Sequence, residues 1–366
     1  MSIIIFLIIL AILVLVHEFG HFIVAKMCGI RVDEFGLGFP PRIFSVKLGE
    51  TRYTLNLIPF GGFVKIFGEN SHVESLSEAD KSRSFIHKNR FIQAMVLVAG
   101  VAFNMIFAWL VISLGFSIGL PSSAGYSEYG QITNPHLIVT EVLGGSPAEE
   151  SGLLAGDLIV FANSGKTSLQ NESLNPQSFK NLITESAGRN IQVLYKRGDN
   201  PPATIFIAPT ADMVFGSRSI GVALDEMGIL KLPPHLALLE GARTTYLLTK
   251  GTAISLGIFL WNTIMLKSDL SQVSGPIGIA KIVGEATQLG FAYLLSLVTL
   301  ISVNLAIINL VPFPALDGGR LLFVGVEAIL RRSISPNIVK WTNILGFACL
   351  IILMLVVTGH DIFNLI

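Results

Sequence analysis

The stretch His17-Glu18-Phe19-Gly20-His21 lies inside an apolar run that extends from Met1 to about Met27. Residues four positions apart share a helix face, so a helix here would stack the two imidazoles about one turn apart. Two neutral imidazoles suit Zn2+, and the acidic residue between them can act as general base on a water molecule. The pattern therefore predicts a zinc site with His17 and His21 as ligands and Glu18 as the catalytic base.

The same motif could instead form the polar face of an ordinary helix in water, because HExxH is short enough to occur by chance. That alternative is weak in this context. An ionisable side chain in the middle of an apolar span costs about 3 kcal/mol, so such residues are rare and usually functional. Three of them within one short motif need a compensating partner, and a bound cation would supply it.

The composition indicates a membrane protein. The chain of 366 residues is 51% hydrophobic and 14% charged, whereas soluble domains carry about 25% charged residues. Lys+Arg and Asp+Glu are both 25, so the net charge gives no support for a nucleic-acid partner. Cys28 and Cys349 show neither metal-type nor redox-type spacing, and we expect both to be small buried apolar residues.

Four apolar stretches have the length that a membrane span needs, about 20 residues. They cover residues 1–27, 91–120, 291–319 and 344–366, with a cytoplasmic loop at 320–343 between the last two. A fifth apolar stretch, 251–266, is short and flanked by charges, so we expect an interfacial helix within a linker at 227–290. The expected fold class is a polytopic α-helical membrane protein.

Two connecting regions have a different character. Residues 28–90 contain alternating and glycine-rich sequence, which predicts short β-strands with glycine turns, followed by an exposed loop from Ser71 to Arg90. Residues 127–226 read as a separate soluble block with a short helix at 177–186. Its predicted strands lie near Leu137, Gly156, Ile191 and Ala203. Ser146 is the expected N-cap of another short helix, with Pro147 at the first helical position.

Basic residues predict the topology. The segments before the second and the fourth span are rich in Lys and Arg, whereas the two ends of the chain carry none. The positive-inside rule then places both segments in the cytoplasm, and both termini and the block at 127–226 outside. Four spans put His17, His21 and Asp317 at a similar depth, and a fifth span at 251–266 would separate them.

The stretch Asn309-Leu-Val-Pro-Phe-Pro-Ala-Leu-Asp317-Gly-Gly supplies a candidate third ligand. Its prolines break the helix and its glycines permit a tight turn. Within the membrane, such non-helical backbone is tolerated only where it packs against other parts of the protein or lines a water-filled cavity. A catalytic zinc site keeps three protein ligands and one open position, and Asp317 would complete that set. Asn304 and Asn309 are amide side chains in an otherwise apolar span. Either they form interhelical hydrogen bonds or they bind the substrate backbone.

Together these motifs resemble those of bacterial site-2 proteases of the RseP type, over essentially the whole chain. The matching parts are HExxH at His17, the stretch ending at Asp317-Gly, the segment Phe60-Gly-Gly-Phe-Val-Lys, and Ser146-Pro-Ala-x-x-x-Gly-Leu-x-x-Gly-Asp, a mark of PDZ domains. The resemblance implies that His17, His21 and Asp317 bind zinc, that Glu18 is catalytic, and that Asn304 and Asn309 hold substrate. It also implies a membrane-associated β-sheet at 31–67 and a location in the bacterial cytoplasmic membrane. Some relatives of this kind carry two tandem PDZ domains, whereas this chain shows one such block.

The function that the resemblance implies is zinc-dependent cleavage within the spans of single-span membrane proteins, of the anti-sigma-factor type or signal-peptide remnants, in regulated intramembrane proteolysis. A helical peptide bond is shielded, so the substrate must unwind. A strand edge near Gly61 and Gly62 could hold it extended by β-addition, or that strand could be a plain structural hairpin. The PDZ-like block would exclude bulky outer domains or bind a peptide or protein ligand.

Two other function classes compete with this hypothesis. A membrane scaffold with a structural zinc site would be expected to have four protein ligands, and only three are evident. A metal transporter would be expected to show a polar path across the bilayer, whereas the ionisable cluster lies at one depth. The sequence therefore favours the protease.

Overall fold

The computed structural model describes the chain except for residues 1, 70–77, 126, 128, 199, 212–217, 266, 268–274 and 364–366. The protein divides into two compact units. Unit 1 combines residues 1–114 with 241–366, and unit 2 comprises residues 115–240. Every residue that the sequence predicts for the functional site belongs to unit 1.

Helices provide most of unit 1, and strands provide most of unit 2. The helices are α1 (Ser2–Met27), α2 (Glu78–Ser82), α3 (Arg90–Ile118), α4 (Pro147–Glu150), α5 (Pro176–Glu185), α6 (Pro234–Ile264), α7 (Pro276–Leu289), α8 (Phe291–Leu310), α9 (Asp317–Leu330) and α10 (Pro336–Phe363). The strands are β1 (Val32–Leu48), β2 (Thr51–Ile66), β3 (Leu120–Ser123), β4 (Thr133–Val142), β5 (Leu158–Asn163), β6 (Ser168–Gln170), β7 (Ile191–Lys196), β8 (Ala203–Ile207), β9 (Thr210–Ala211), β10 (Arg218–Ser219) and β11 (Val222–Leu230).

Four helices, α1, α3, α8 and α10, are long and apolar enough to cross a membrane, which confirms the four apolar helices predicted from the sequence. Helix α6 covers residues 251–264 of the predicted interfacial segment and extends further toward the N-terminus, because it starts at Pro234 and runs unbroken to Ile264. A proline is well tolerated in the first turn of a helix, where its missing N–H has no intrahelical partner to lose.

The predicted boundaries around the third and fourth spans were wrong in detail. Helix α8 ends at Leu310, since the two prolines that follow cannot continue it. The chain then re-enters a helix at Asp317, so the predicted loop at 320–343 contains most of α9. Helix α10 begins at Pro336, eight positions before the predicted start of the span at residue 344.

The region predicted as short strands is instead a hairpin of two long strands, β1 and β2, that bend. Residues 34–37 of β1 pair on one side with residues 62–65 of β2 and on the other side with residues 52–55 of β2. Residues 52–55 pair in turn with residues 44–47 of β1. The final segment of β2, residues 62–66, therefore has a strand partner on one side only among the pairings of the described residues.

The segment after this hairpin is less exposed than the sequence predicts. Of the predicted loop 71–90, the structure describes residues 78–90, which contain α2, a 3-10 turn at Phe85–His87 and the first residue of α3. Ser84 and Phe85 are buried, and Phe85 joins a cluster with Ile30, Val32 and Val96. The remainder of that prediction lies outside the described residues.

Unit 2 is a sheet in the order β3-β11-β4-β5-β7-β8, with β6 paired to β5. The strands predicted in this block are present, and its core includes the fully buried Phe179 of α5. Ser146 caps α4 as predicted, because its side chain accepts a hydrogen bond from the backbone N–H of Glu149 and Pro147 follows it. Arg197 pairs with the buried Asp157 through two contacts of 2.7 Å.

Close contact between α1 and α3 shapes the interior of unit 1. A Cβ atom on Gly20 would lie 2.5 Å from the carbonyl oxygen of Ala99 and 3.0 Å from Cβ of Phe103. Real Cβ atoms do not approach so closely, so the glycine is what allows the two backbones to meet. In the sequence, Gly20 lies between the two histidines of the HExxH motif.

Candidate metal centre

Helix α1 places both histidines of the HExxH motif on its buried face. His17 and His21 are 6% and 7% exposed, and their Nε2 atoms lie 3.2 Å apart. The Oδ2 atom of Asp317 lies 2.8 Å from Nε2 of His17 and 3.1 Å from Nε2 of His21. The structure thus brings together the three residues that the sequence proposes as ligands, as one cluster able to hold a metal ion.

The break between α8 and α9 delivers Asp317 to this cluster. Residues 311–316 include two prolines and lie outside the helices. Gly318 and Gly319 follow in the first turn of α9, which packs so closely on the preceding segment that a side chain at either position would collide with its backbone carbonyl oxygens. Asp317 is the first residue of α9, where the helix dipole favours its negative charge.

The arrangement fits zinc. Tetrahedral ligands at the usual distances from a zinc ion lie about 3.3 Å from one another, close to the observed separations of 2.8, 3.1 and 3.2 Å. Two imidazole nitrogens and one carboxylate oxygen form a donor set that catalytic zinc sites use, with a fourth position left open. His21 is also oriented for this task, because its Nδ1 lies 2.8 Å from the carbonyl oxygen of Val96. Nδ1 donates to that carbonyl, which leaves the lone pair of Nε2 for a metal.

Glu18 lies beside the cluster and is half-buried. Strand β2 approaches it at Gly62, where a Cβ atom would lie 3.2 Å from Cγ of Glu18 and 3.3 Å from a methyl group of Val14. Gly62 is also paired with Leu37 in the sheet. The absence of a side chain at this position therefore lets the strand pass directly beside the carboxylate.

The other predicted site residues lie outside the cluster of ligand atoms. Asn304 accepts a hydrogen bond of 3.2 Å from the hydroxyl of Thr252 in α6, which is the interhelical bond that the sequence left open as an alternative. Asn309 lies in the last turn of α8 and is half-buried. Gly61 precedes Gly62 with a positive φ of 95°, a conformation that glycine adopts without strain. Substrate contacts of these residues stay predictions.

Three residues that sequence reasoning missed lie on α3, and each contacts a histidine of the motif. Val96 accepts the hydrogen bond from His21, and Asn104 lies 3.3 Å from Nδ1 of His17. A side chain on Gly100 would collide with Nε2 of His21 and lie 2.7 Å from Cε1 of His17. Only Asn104 carries a signal that could have found it, since it is an amide in an apolar span like Asn304.

An ion pair joins the end of the hairpin to α9. The carboxylate of Glu69 pairs with the guanidinium of Arg320, three residues after Asp317. Burial raises the pKa of the Glu69 carboxyl, and the positive charge of Arg320 opposes that shift. The pair connects the strand that passes Glu18 to the helix that presents Asp317.

Comparison with known proteins identifies relatives along nearly the whole chain. The model of peptidase family M50 matches residues 5–353. A Clostridium perfringens protein, named as a candidate zinc metalloprotease, is 34% identical over 351 residues, which cover 96% of this chain and 95% of that protein. Zinc metalloprotease RasP of Oceanobacillus iheyensis is 27% identical, with 99% of this chain and 98% of that protein covered. RasP of Geobacillus kaustophilus is 28% identical, with 99% and 97% covered.

Proposed function

We propose that this chain, which belongs to peptidase family M50, cuts peptide bonds within the membrane-spanning segments of single-span membrane proteins. Its membership makes the protein a zinc metalloprotease. The observation that carries the proposal is the convergence of His17, His21 and Asp317 in unit 1, with both histidines on an apolar helix long enough to span a bilayer. A metal centre in that setting has membrane-embedded peptide bonds within its reach.

Each residue near the centre has a distinct proposed role. His17, His21 and Asp317 hold the metal, and Glu18 takes the proton of the attacking water and passes it to the leaving amine. When bound, zinc polarises the scissile carbonyl and lowers the pKa of water toward about 7. Val96 fixes the ring of His21 through its carbonyl oxygen. Asn304 and Asn309 contact the substrate backbone as it unwinds.

The substrate is held extended along residues 62–66 of β2. This segment is paired on one side only among the described strand pairings, and Gly62 lies against Glu18. A strand added to this edge would run beside the catalytic base, with its backbone fixed by main-chain hydrogen bonds. Several apolar side chains of the hairpin are exposed, including Ile43, Phe44 and Leu57, which suits a sheet that lies in the membrane surface.

Replacing Gly62 with valine is expected to lower the rate of cleavage about 10- to 100-fold, because displacing a catalytic group by about 1 Å has effects of that size. The new side chain would press on Glu18 and on the carbonyl oxygen of Gly36, which lies 3.2 Å from the Cβ position. The measurement is the cleavage rate of a single-span substrate, together with zinc content. Leu57→Val, at an exposed position of the same strand, is the control. Equal rates for Gly62→Val and wild type would contradict the role given to this edge.

The topology and unit 2 complete the proposal. We place the protein in the bacterial cytoplasmic membrane as a multi-pass protein, with both termini and unit 2 outside and the basic segments inside. Unit 2 is a PDZ-like domain that limits access of substrates with bulky outer domains, and peptide binding by it is the alternative. The proposed substrates are single-span proteins of the anti-sigma-factor type, once a bulky outer domain has been removed, and signal-peptide remnants.

The direct test uses purified protein in proteoliposomes with a single-span substrate whose outer domain has been removed. We expect cleavage inside the span, its loss to background when a chelator removes zinc, and its return when zinc is added back. The same substrate with its outer domain intact is the comparison for the filtering role of unit 2. A protein that retains zinc but cuts no spanning segment would instead support the scaffold alternative.

A further inference from the structure

We infer that Asn104 is a positioning residue whose side-chain oxygen accepts a hydrogen bond from Nδ1–H of His17 and so keeps Nε2 of that ring free for zinc. The inference rests on the proposed function, in which His17 is a zinc ligand. Nothing in the HExxH motif or in the stretch around Asp317 points to this residue, because it lies on a different helix.

The contact itself is deeply buried. Asn104 is 0% exposed, and its carboxamide nitrogen lies 3.3 Å from Nδ1 of His17. Its carboxamide oxygen is buried without a hydrogen-bond partner among the described atoms. Leaving such an oxygen unpaired costs about 1–3 kcal/mol. A half-turn of the amide exchanges the two atoms and points the oxygen at the ring.

The chemistry of the metal ligand decides between the two amide orientations. A neutral imidazole carries one N–H, and a ring that binds metal through Nε2 must carry its proton on Nδ1. An amide N–H facing Nδ1 would demand a bare Nδ1 and therefore a protonated Nε2, directed at Asp317 and unable to bind metal. An amide oxygen facing Nδ1 selects the opposite tautomer, which is the one that the cluster needs.

The second histidine is held in the same way from the same helix. Nδ1 of His21 donates to the carbonyl oxygen of Val96 at 2.8 Å. Val96, Gly100 and Asn104 are spaced four residues apart and share one face of α3. The four-residue spacing of these three residues matches that of the two histidines on α1. Val96 and Asn104 each provide an acceptor for one ring, and Gly100 between them leaves space for both rings.

A third helix contacts Asn104 through its backbone. The hydroxyl of Ser302 in α8 donates to the backbone carbonyl oxygen of Asn104 at 2.9 Å. Ser302 is itself fully buried, and among the described residues no hydrogen bond joins it to either histidine. It therefore offers a matched control, because its replacement removes one buried hydrogen bond to the backbone carbonyl of Asn104 and leaves the carboxamide in place.

The test is a titration of the full-length protein in detergent with zinc alone, in competition with a chromophoric chelator. Loss of an acceptor beside a metal-binding histidine typically costs 10- to 100-fold in affinity, so Asn104→Leu is expected to weaken zinc binding by about that factor. Asn104→Asp keeps an acceptor and is expected to stay within about threefold of wild type, or to bind more tightly. Ser302→Ala is expected to match wild type, and thermal unfolding of the zinc-free variants monitors the fold.

Each other outcome overturns the inference. Wild-type affinity in Asn104→Leu would show that the residue only fills space. A loss in Asn104→Asp equal to that in Asn104→Leu would show that the site needs an amide N–H, and this variant decides alone if Asn104→Leu does not fold. A failure of the proposed function would look different. If His17 were not a zinc ligand, His17→Ala would bind zinc with the wild-type affinity, and replacing Asn104 would not change that affinity.

Discussion

Replacing Gly100 with alanine is expected to weaken zinc binding about 5- to 150-fold and to reduce cleavage in parallel. Overpacking by one methyl group costs about 1–3 kcal/mol, and this range of factors is that energy converted at about 1.4 kcal/mol per tenfold. The substitution adds a single carbon atom, and it adds it where both histidine rings lie. The new Cβ would collide with Nε2 of His21 and lie 2.8 Å from Nε2 of His17. These two nitrogens are the atoms that the metal needs.

The groups around Gly100 cannot easily move to make room for this methyl group. The rings cannot turn away without losing the contacts of His21 with Val96 and of His17 with Asn104. The helices cannot move apart without opening the close contact between Gly20 and Ala99. The strain therefore falls on the position of the ligand atoms, and zinc binding should weaken more than the fold does.

The measurement is zinc affinity by chelator competition, with the cleavage rate of a single-span substrate measured at matched zinc saturation. Gly359→Ala is the control, because it is the same substitution in α10 with no atom within 4 Å of the new Cβ. In a helix, that change is expected to be neutral or stabilising by up to about 1 kcal/mol. Unchanged zinc affinity in Gly100→Ala would mean that the two rings are free to rearrange, against the tight packing described above.

The sequence predicted the centre because its main residues are chemically conspicuous. His17, Glu18 and His21 are ionisable groups in an apolar run, and Asp317 follows a proline-broken helix end. Such groups are costly in a membrane, so their presence points to function without any knowledge of the fold. The structure then brings Asp317 within 3.1 Å of both histidines, across about 300 positions of sequence.

The contributions of α3 could not be predicted in the same way. Val96 acts through a backbone carbonyl and Gly100 through the absence of a side chain, and neither property marks a residue as functional in a sequence. The path of the chain after Leu310 was also only partly predictable. The prolines predict the end of α8, but the start of α9 at Asp317 depends on packing against carbonyl oxygens that only the folded turn brings close.

Replacing Glu18 with glutamine is expected to reduce cleavage by about 10²- to 10⁴-fold, the range that a general base contributes. Glutamine has nearly the same shape as glutamate, so the contact with Gly62 and the packing of α1 should persist. It cannot accept a proton from water, and for that reason the chemical step fails. The zinc ligands are untouched, so zinc affinity should stay near the wild-type value.

The pair of measurements, cleavage rate and zinc content, separates two roles for the carboxylate. Loss of cleavage with full zinc content identifies Glu18 as the base, whereas loss of both would make it part of the metal-binding set. Glu285→Gln, the same substitution at an exposed position of α7, controls for the removal of one negative charge. Retained cleavage in Glu18→Gln would transfer the role of base to another group. Glu69, which is half-buried beside Arg320 and influenced by the charges of His21 and Asp317, would then be the next residue to replace.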